Sequence, residues 1–322
     1  MMKKIFIAFG LYLGLGAQAQ AQLVPGEFEH IEYLMTFGKE CPTEWGDDDF
    51  SQTFFFIIPK AFTHPVYIRV YDPEIGGNHD VLNGQFNTKM KYQLYGGPGA
   101  YSNPDARNID PIGEYKSGNL IASKTFGNDP EYDDQWYSFG PINPLEGEFV
   151  EQFDGHVLKL ITEGVVGDDG NLYKYFLSTQ HNSNKEVEGA NAFTYEYSFR
   201  LPEHTKQVVH LYPFIEEDVV SIIQHNFDLD NIAHVMLYSV AKNRITAGES
   251  GNDVWIQSQH QILDAEKNTT LDVQILTDGE AENDVVAYIT NQHNEAIAFF
   301  SNPIGGPPKY KYKVDVKKTK ND

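Results

Sequence analysis

Short runs in which hydrophobic and polar residues alternate recur along most of this 322-residue chain. They are rich in aromatic and β-branched residues, which suit the half-buried face of a sheet, and they include TFFFIIP, PVYIRVY, KMKYQLYG, HVLKLITEG, LYKYFLST and FTYEYSFRL. Clusters of Gly, Asn, Asp and Pro separate the runs, as turns require, and helical stripes are short and interrupted. The pattern predicts an all-β protein made of antiparallel β-sandwiches.

The pattern changes around Pro202, where TYEYSFRLPEHTKQVVHLYPFI shifts its alternation, and a second series of strand-like runs follows. These runs fit the size of one small sandwich. We therefore expect two tandem β-sandwich domains, jelly-roll or immunoglobulin-like, over residues 27–200 and 203–306, and a basic tail over residues 307–322.

The N-terminus has the features of a cleaved signal peptide over residues 1–21. Lys3 and Lys4 precede the apolar stretch IFIAFGLYLGLG, and AQAQAQ then supplies the small residues that a signal peptidase requires. No cysteine marks a lipid-attachment site, and no later stretch is apolar enough to span a bilayer. We expect an exported bacterial protein, periplasmic or secreted, that does not span the membrane. Its single cysteine, Cys41, cannot form an intramolecular disulfide.

The charge of the chain is strongly negative and uneven. The formal net charge is −22, whereas the segment KYKYKVDVKKTKND contains six lysines against two aspartates. An acidic body repels the phosphates of nucleic acid and attracts divalent cations or a basic partner. Because the tail alternates Lys with Tyr and Val, three interpretations are open: a solvated end, a strand that pairs with an envelope or outer-membrane protein, or a segment that folds back onto the acidic body.

One acidic loop follows a predicted strand directly. In YDPEIGGNHD, Asp72, Asn78 and Asp80 surround a Gly76-Gly77 turn. Calcium takes carboxylate, amide and carbonyl oxygens, and a Gly-Gly turn allows a loop to bring such oxygens to one point. The spacing differs from that of an EF-hand, and an ordinary solvated turn is the alternative.

A second acidic loop, GNDPEYDDQWYSFGPI, precedes another predicted strand and contains Asp129, Asp133 and Asp134. Loops at one end of a sandwich converge in space although they are distant in sequence. We therefore predict a structural calcium site formed by the two loops together, with these candidate ligands: Asp72, Asn78, Asp80, Asp129, Asp133 and Asp134.

Other acidic clusters are weaker candidates for metal binding. TEWGDDDF contains Glu44 and Asp47–Asp49, and the second half has FDLDN and ESGND as counterparts, with Asp228, Asp230, Asn231, Glu249, Asn252 and Asp253. Neither H-x-H nor H-E-x-x-H occurs, so the histidines do not indicate a transition-metal site.

The stretch FFFIIPKAFTHPVYIRVYDPEIGGNHD resembles the calcium-binding β-sandwich modules appended to exported bacterial enzymes, of the pre-peptidase C-terminal and jelly-roll type. The resemblance rests on a strand followed by Asp, Gly-Gly and Asp, and it covers about residues 50–100. It implies Asp72, Asn78 and Asp80 as ligands. The acidic insertions of this chain are longer than those of the modules.

Catalytic motifs are scarce. The sequence has neither a G-x-S-x-G elbow nor a G-x-x-x-x-G-K-[ST] loop, and no carboxylate pair stands out as glycosidase-like. We expect a non-enzymatic binding or assembly factor of the cell envelope. The alternative is a carbohydrate-binding or carbohydrate-processing protein, in which Trp45, Trp136 or Trp255 stacks on sugars. A purely structural envelope protein is a third interpretation.

Overall fold

The computed structural model describes residues 23–45, 50–202, 207–277 and 283–309. The predicted signal peptide, Asp47–Asp49 and most of the basic tail lie outside these ranges. Within them the strands are β1 Leu23–Val24, β2 Leu34–Phe37, β3 Ser51–Pro59, β4 Val66–Tyr71, β5 Lys89–Gly96, β6 Asn119–Phe126, β7 Trp136–Ile142, β8 Glu148–Val150, β9 Gly155–Val166, β10 Gly170–Ser178, β11 Asn191–Thr194, β12 Glu196–Arg200, β13 Val208–Leu211, β14 Phe214–Ile215, β15 Ser221–Phe227, β16 Ala233–Tyr238, β17 Ile245–Thr246, β18 Trp255–Gln261, β19 Thr269–Thr270, β20 Asp272–Thr277, β21 Asp284–Asn291 and β22 Phe299–Phe300.

Helical structure in the described residues is confined to short 3₁₀ turns: Glu27–Glu29, Thr43–Trp45, Pro104–Arg107, Pro144–Glu146, Glu151–Phe153 and Asp264–Glu266. No helix in these ranges has the length and apolar character needed to cross a membrane. The prediction of an all-β fold is confirmed.

Antiparallel sheets form sandwich-like layers. The largest has nine strands in the order β18-β15-β21-β12-β2-β10-β4-β7, with β1 paired to β10. A seven-stranded sheet runs β22-β11-β3-β9-β5-β6, with β8 paired to β9, and β13-β20-β16-β17 form a smaller sheet. Pairs between these strands are antiparallel throughout the described residues.

Strand β3 is buried on both faces, which explains why its sequence TFFFII is almost continuously apolar. Phe54 and Phe56 point into the main core, while Phe55 and Ile57 pack in a second aromatic cluster on the opposite face. A third cluster contains Cys41, which is buried beside Phe37 and Met35. The seven-stranded sheet therefore has apolar layers on both sides.

The nine-stranded sheet contains strands from both halves of the chain. Strand β21 pairs with β12, and the main core includes residues from both sides of position 202. Arg200 and Asp284 face each other in this pairing, and the guanidinium donates to both carboxylate oxygens at 2.6 and 2.9 Å. The division into residues 27–200 and 203–306 stays a prediction, and residues 203–206 lie outside the described ranges.

Strand β18 is at one edge of the nine-stranded sheet. It pairs with β15 in unbroken register from Trp255 to Gln261. Its sequence WIQSQHQ contains no Lys, Arg, Asp, Glu or Pro, the residues that commonly protect an edge.

Candidate metal centre

The two acidic loops meet because β4 and β7 are neighbours. Tyr71, the last residue of β4, lies opposite Trp136, the first residue of β7. The segment leaving β4 and the segment entering β7 are therefore side by side. The backbone N–H of Asp72 donates to the carbonyl of Gln135 at 2.9 Å, which continues the pairing one step beyond the strands.

Asp72, Asp133 and Asp134 converge at this point. One carboxylate oxygen from each residue lies within 4.8 Å of the other two. Asp72 and Asp134 both have left-handed backbone conformations, with φ of 53° and 57°. These bends allow the backbone N–H of Asp134 to donate to Asp72 Oδ1 at 3.1 Å. The triad is therefore held by the backbone of both loops.

Two oxygens of the triad are buried without a hydrogen-bond partner among the described residues: Asp72 Oδ2 and Asp133 Oδ1. Asp72 is fully buried. Buried carboxylate oxygens in proteins normally have a donor or a cation, because leaving them unsatisfied is costly. The two oxygens are therefore the most direct indication of a cation.

Gly77 permits Asp133 to approach the first loop. It has a φ of +68°, and a Cβ at this position would lie 2.1 Å from Asp133 Oδ1. Any other residue would clash with the carboxylate, since real Cβ contacts of this kind are much longer. The Gly76-Gly77 turn thus makes room for a carboxylate from the second loop.

The electrostatics of the site favour a cation. Burial, together with the neighbouring carboxylates Asp134, Asp133 and Glu74, raises the pKa of Asp72 to about 7. The exposed Asp134 Oδ1 accepts from the Tyr71 hydroxyl at 2.7 Å and lies 3.4 Å from His79 Nε2. A divalent cation would favour the ionised form of the Asp72 carboxyl group.

The other three candidate ligands have different positions. Asp80 is next to the triad, but its oxygens accept from the backbone N–H groups of Leu172 and Gly76, at 2.8 and 2.7 Å. Burial raises its pKa well above the usual value. Asp129 accepts from the N–H of Gly127 at 3.0 Å, and Asn78 is exposed. The structure places these three outside the triad.

Glu74 is a residue of this region that the sequence analysis did not single out. It is 1 % exposed, and its Oε2 accepts from the N–H of Asp129 at 2.7 Å, which ties the two loops together. Burial raises its pKa. Its position between Pro73 and Ile75, both apolar, was the available signal for a buried carboxylate.

The second half contains a similar arrangement with fewer carboxylates. The N–H of Asp253 donates to Asp228 Oδ1 at 2.9 Å, and Asn252 donates to the Asp253 carboxylate. Glu249 instead contacts His234 Nδ1 at 2.7 Å. Within the described ranges, the Asp72–Asp133–Asp134 group alone brings three metal-binding side chains together.

The tryptophans have separate environments. Trp45 packs near Phe37, with ring centroids 6.3 Å apart, and Trp136 lies under the Arg69 guanidinium at 4.9 Å. Trp255 is 42 % exposed and contacts Phe227 and Tyr288. The three therefore form no shared stacking platform.

Comparisons with known proteins add no family. No family model matches the chain, and no curated protein matches it. Among solved structures, the Macrobrachium rosenbergii nodavirus is similar at 10% identity over 91% of this chain and 97% of the viral chain, with a TM-score of 0.17. A score this low carries no argument. The resemblance to calcium-binding β-sandwich modules stays a prediction.

Proposed function

We propose that the protein is an exported bacterial calcium-binding β-sandwich protein that acts as a non-enzymatic binding or assembly factor of the cell envelope. The observation that carries the proposal is the Asp72–Asp133–Asp134 triad, in which two buried carboxylate oxygens have no hydrogen-bond partner among the described residues. A cation there would compensate the charge that burial otherwise penalises.

The donor atoms favour a hard cation such as calcium. All three are carboxylate oxygens, which suit hard cations better than zinc or copper. Calcium–oxygen distances of about 2.3–2.6 Å place opposite ligands roughly 4.6–5.2 Å apart. The triad oxygens lie within 4.8 Å of one another, a limit that accommodates this sphere and the smaller sphere of magnesium. Magnesium requires opposite ligands at roughly 4.2 Å and a near-ideal octahedron.

The cation would join the loop after β4 to the loop before β7. Because loops at the end of a sheet commonly carry binding sites, a cation that fixes them also organises the surface for a partner. The role proposed for calcium is therefore structural, and the partner contact is made by the surface that it stabilises.

A partner protein of the envelope fits the open edge at β18. Its uncharged residues present an outer row of backbone groups for strand addition, apart from the carbonyl of Gln261, which accepts from Lys242. Replacing the exposed Gln257 and Gln259 by Lys should weaken this pairing, whereas Lys at the exposed Thr63 and His64 should not. The measurement is the recovery of envelope proteins that are crosslinked to each double variant and co-purify with it. Equal recovery with both double variants would contradict the role of β18.

Calcium binding is tested by thermal melting of the mature protein with chelator, calcium or magnesium, together with metal analysis. A ligand that binds the folded state at a concentration of about 100 Kd stabilises it by about 2.7 kcal/mol. Asp72→Asn should remove the response to calcium, and Asp228→Asn is the matched control in the second half. Equal melting temperatures in chelator and in calcium would refute the proposal.

A further inference from the structure

A large cavity lies on the outer face of the seven-stranded sheet, within the second aromatic cluster. Its volume is about 550 Å³, and its walls come from both halves of the chain. Tyr101, Phe153 and Tyr195 contribute from the first half, and Phe214 and Phe300 from the second. Small-molecule sites in proteins typically have volumes of about 300–1,000 Å³. The cavity is therefore large enough for a ligand.

Aromatic rings form the floor of the cavity. The ring centroid of Phe153 lies 5.5 Å from that of Tyr101 and 6.3 Å from that of Phe300, and Phe214 lies 6.3 Å from Phe300. Tyr101, Tyr195 and Phe300 are buried, so their positions are fixed by packing. Phe153 and Phe214 are half-buried and present ring surface to the space above.

Polar groups line the cavity beside the rings in two pairs. Gln152 Nε2 donates to Glu216 Oε1 at 2.8 Å, and Asn291 Nδ2 donates to Glu295 Oε2 at 2.8 Å. In each pair one carboxylate oxygen accepts a hydrogen bond, and the carboxylates of Glu216 and Glu295 are exposed. Both carboxylates can therefore accept further hydrogen bonds from a ligand.

Arg107 adds hydrogen-bond donors. Its guanidinium lies 5.4 Å from the centre of the Tyr101 ring, which restrains its orientation. Arg107 lines the cavity and carries only N–H donors; its Nε–H is itself buried and has no acceptor among the described residues. The cavity therefore offers donors and acceptors beside one apolar surface.

This combination selects the chemistry of the ligand. Two glutamates in an acidic protein disfavour an anion, and Arg107 disfavours a cation. A purely apolar ligand would leave the polar groups desolvated and unpaired. A sugar ring has an apolar C–H face for the aromatic floor and hydroxyl groups that both donate and accept. We propose that this cavity binds a neutral oligosaccharide.

The proposal goes beyond calcium binding and does not depend on it, since the cavity shares no residue with the acidic triad. It is tested by titration calorimetry of the mature protein with four neutral probes, cellotetraose, maltotetraose, laminaritetraose and xylotetraose. We expect at least one to bind, both in calcium and in chelator. Failure of all four at millimolar concentration would overturn the proposal, whatever the result for calcium.

Variants locate the binding to the cavity. Phe214→Ala should weaken the binding of the sugar at least tenfold, and Glu216→Gln should weaken it severalfold without disturbing the apolar floor. Phe149→Ala is the control, because Phe149 is 46 % exposed and does not line the cavity. If Phe214→Ala unfolds the protein, Glu216→Gln and Arg107→Gln decide. Unchanged affinity in these two variants would place the sugar elsewhere and overturn the assignment.

Discussion

Two strand ends in this protein have the same backbone arrangement. In the first half, β4 ends at Tyr71 and is followed by Asp72, and β7 begins at Trp136 shortly after Asp134. In the second, β15 ends at Phe227 and is followed by Asp228, and β18 begins at Trp255 shortly after Asp253. Both pairs of strands place the aromatic residue opposite the tryptophan, and the ring centroids are 5.3 and 5.2 Å apart.

The aspartates of the two strand ends also correspond. Asp72, Asp134, Asp228 and Asp253 all have positive φ, and in each pair the later N–H donates to the earlier carboxylate. The difference is in the residue before the second aspartate. Asp133 adds a third carboxylate in the first half, whereas Asn252 occupies the corresponding place in the second. The comparison teaches that the same turn can be built with two or with three carboxylates, and that the third carboxylate sets the two ends apart.

The largest effect is expected for Asp133→Asn, which gives the first strand end the chemistry of the second. This change should abolish the stabilisation by calcium, about 2.7 kcal/mol at 100 Kd, because two carboxylates remain. Melting temperatures in calcium and in chelator provide the measurement, with Asn252→Ala as the control. Retention of the full calcium shift would show that Asp133 is not a ligand.

A comparable effect is expected from the buried charge itself, in the absence of calcium. Burial raises the pKa of Asp72 to about 7 and that of Asp228 to about 6, above the usual 3.8. Without calcium, each of these carboxyl groups is therefore protonated in the folded protein but ionised in the unfolded chain, from about pH 4 up to its folded pKa. Because the folded protein binds more protons in this window, its stability decreases as the pH rises.

In the Asp72→Asn and Asp228→Asn variants, the free energy of unfolding should decrease less as the pH rises. The difference is at most a few kcal/mol, since one pKa unit corresponds to about 1.4 kcal/mol. Asp72→Asn should have the larger effect. Urea unfolding in chelator at pH 5 and pH 8 measures it. A steeper loss of stability at pH 8 in either variant would contradict the sign of the argument.

A gain of calcium binding at the strand end of the second half also tests the comparison. Asn252→Asp supplies a third carboxylate to the second strand end and should produce a calcium-dependent rise in melting temperature of about 1–2 °C, equivalent to about 0.5 kcal/mol. Since the native Asp133–Asp72 site would mask so small a shift, it is measured in an Asp133→Asn background. No response would mean that the close packing of Asp133 against Gly77 is required as well.

The smallest effect is expected for His79→Ala. His79 Nε2 lies 3.4 Å from Asp134 Oδ1, but both side chains are more than 40 % exposed, and exposed ion pairs contribute little. The affinity for calcium should therefore change less than twofold in calorimetry. A large loss would indicate that His79 fixes the position of Asp134.

Local patterns predicted the first strand end better than the rest of the site. The runs before Asp72 and after Asp134 identified both strands, and their pairing explains why the loops meet. Side-chain roles were not predictable in the same way. Asp80 and Asp129 are aspartates like the triad residues, but their oxygens accept from backbone N–H groups instead. The donor to Asp129 is the nearby Gly127, whereas one donor to Asp80 is Leu172, on a strand far along the chain.

The cavity was not predictable from local patterns. Its lining runs from Tyr101 to Ile304, and its residues approach one another only because β11 pairs with both β3 and β22. Alternation shows that Phe55 and Phe193 suit a sheet, but it does not reveal which strands are neighbours. The same limit applies to the sheet shared by both halves, since the pairing of β12 with β21 connects segments that no local pattern relates.

The late position of β21 and β22 in the chain has a consequence for synthesis. Each completes a sheet begun by an earlier segment: β21 covers the side of β12 away from β2, and β22 covers the side of β11 away from β3. A chain emerging from its N-terminus leaves both sides open until residues 284–300 have followed. Long-range pairing of this kind is slow and exposes edges meanwhile. A polypeptide truncated before residue 284 would retain two unpaired edges, so a protease that recognises open strands could distinguish incomplete chains from finished ones.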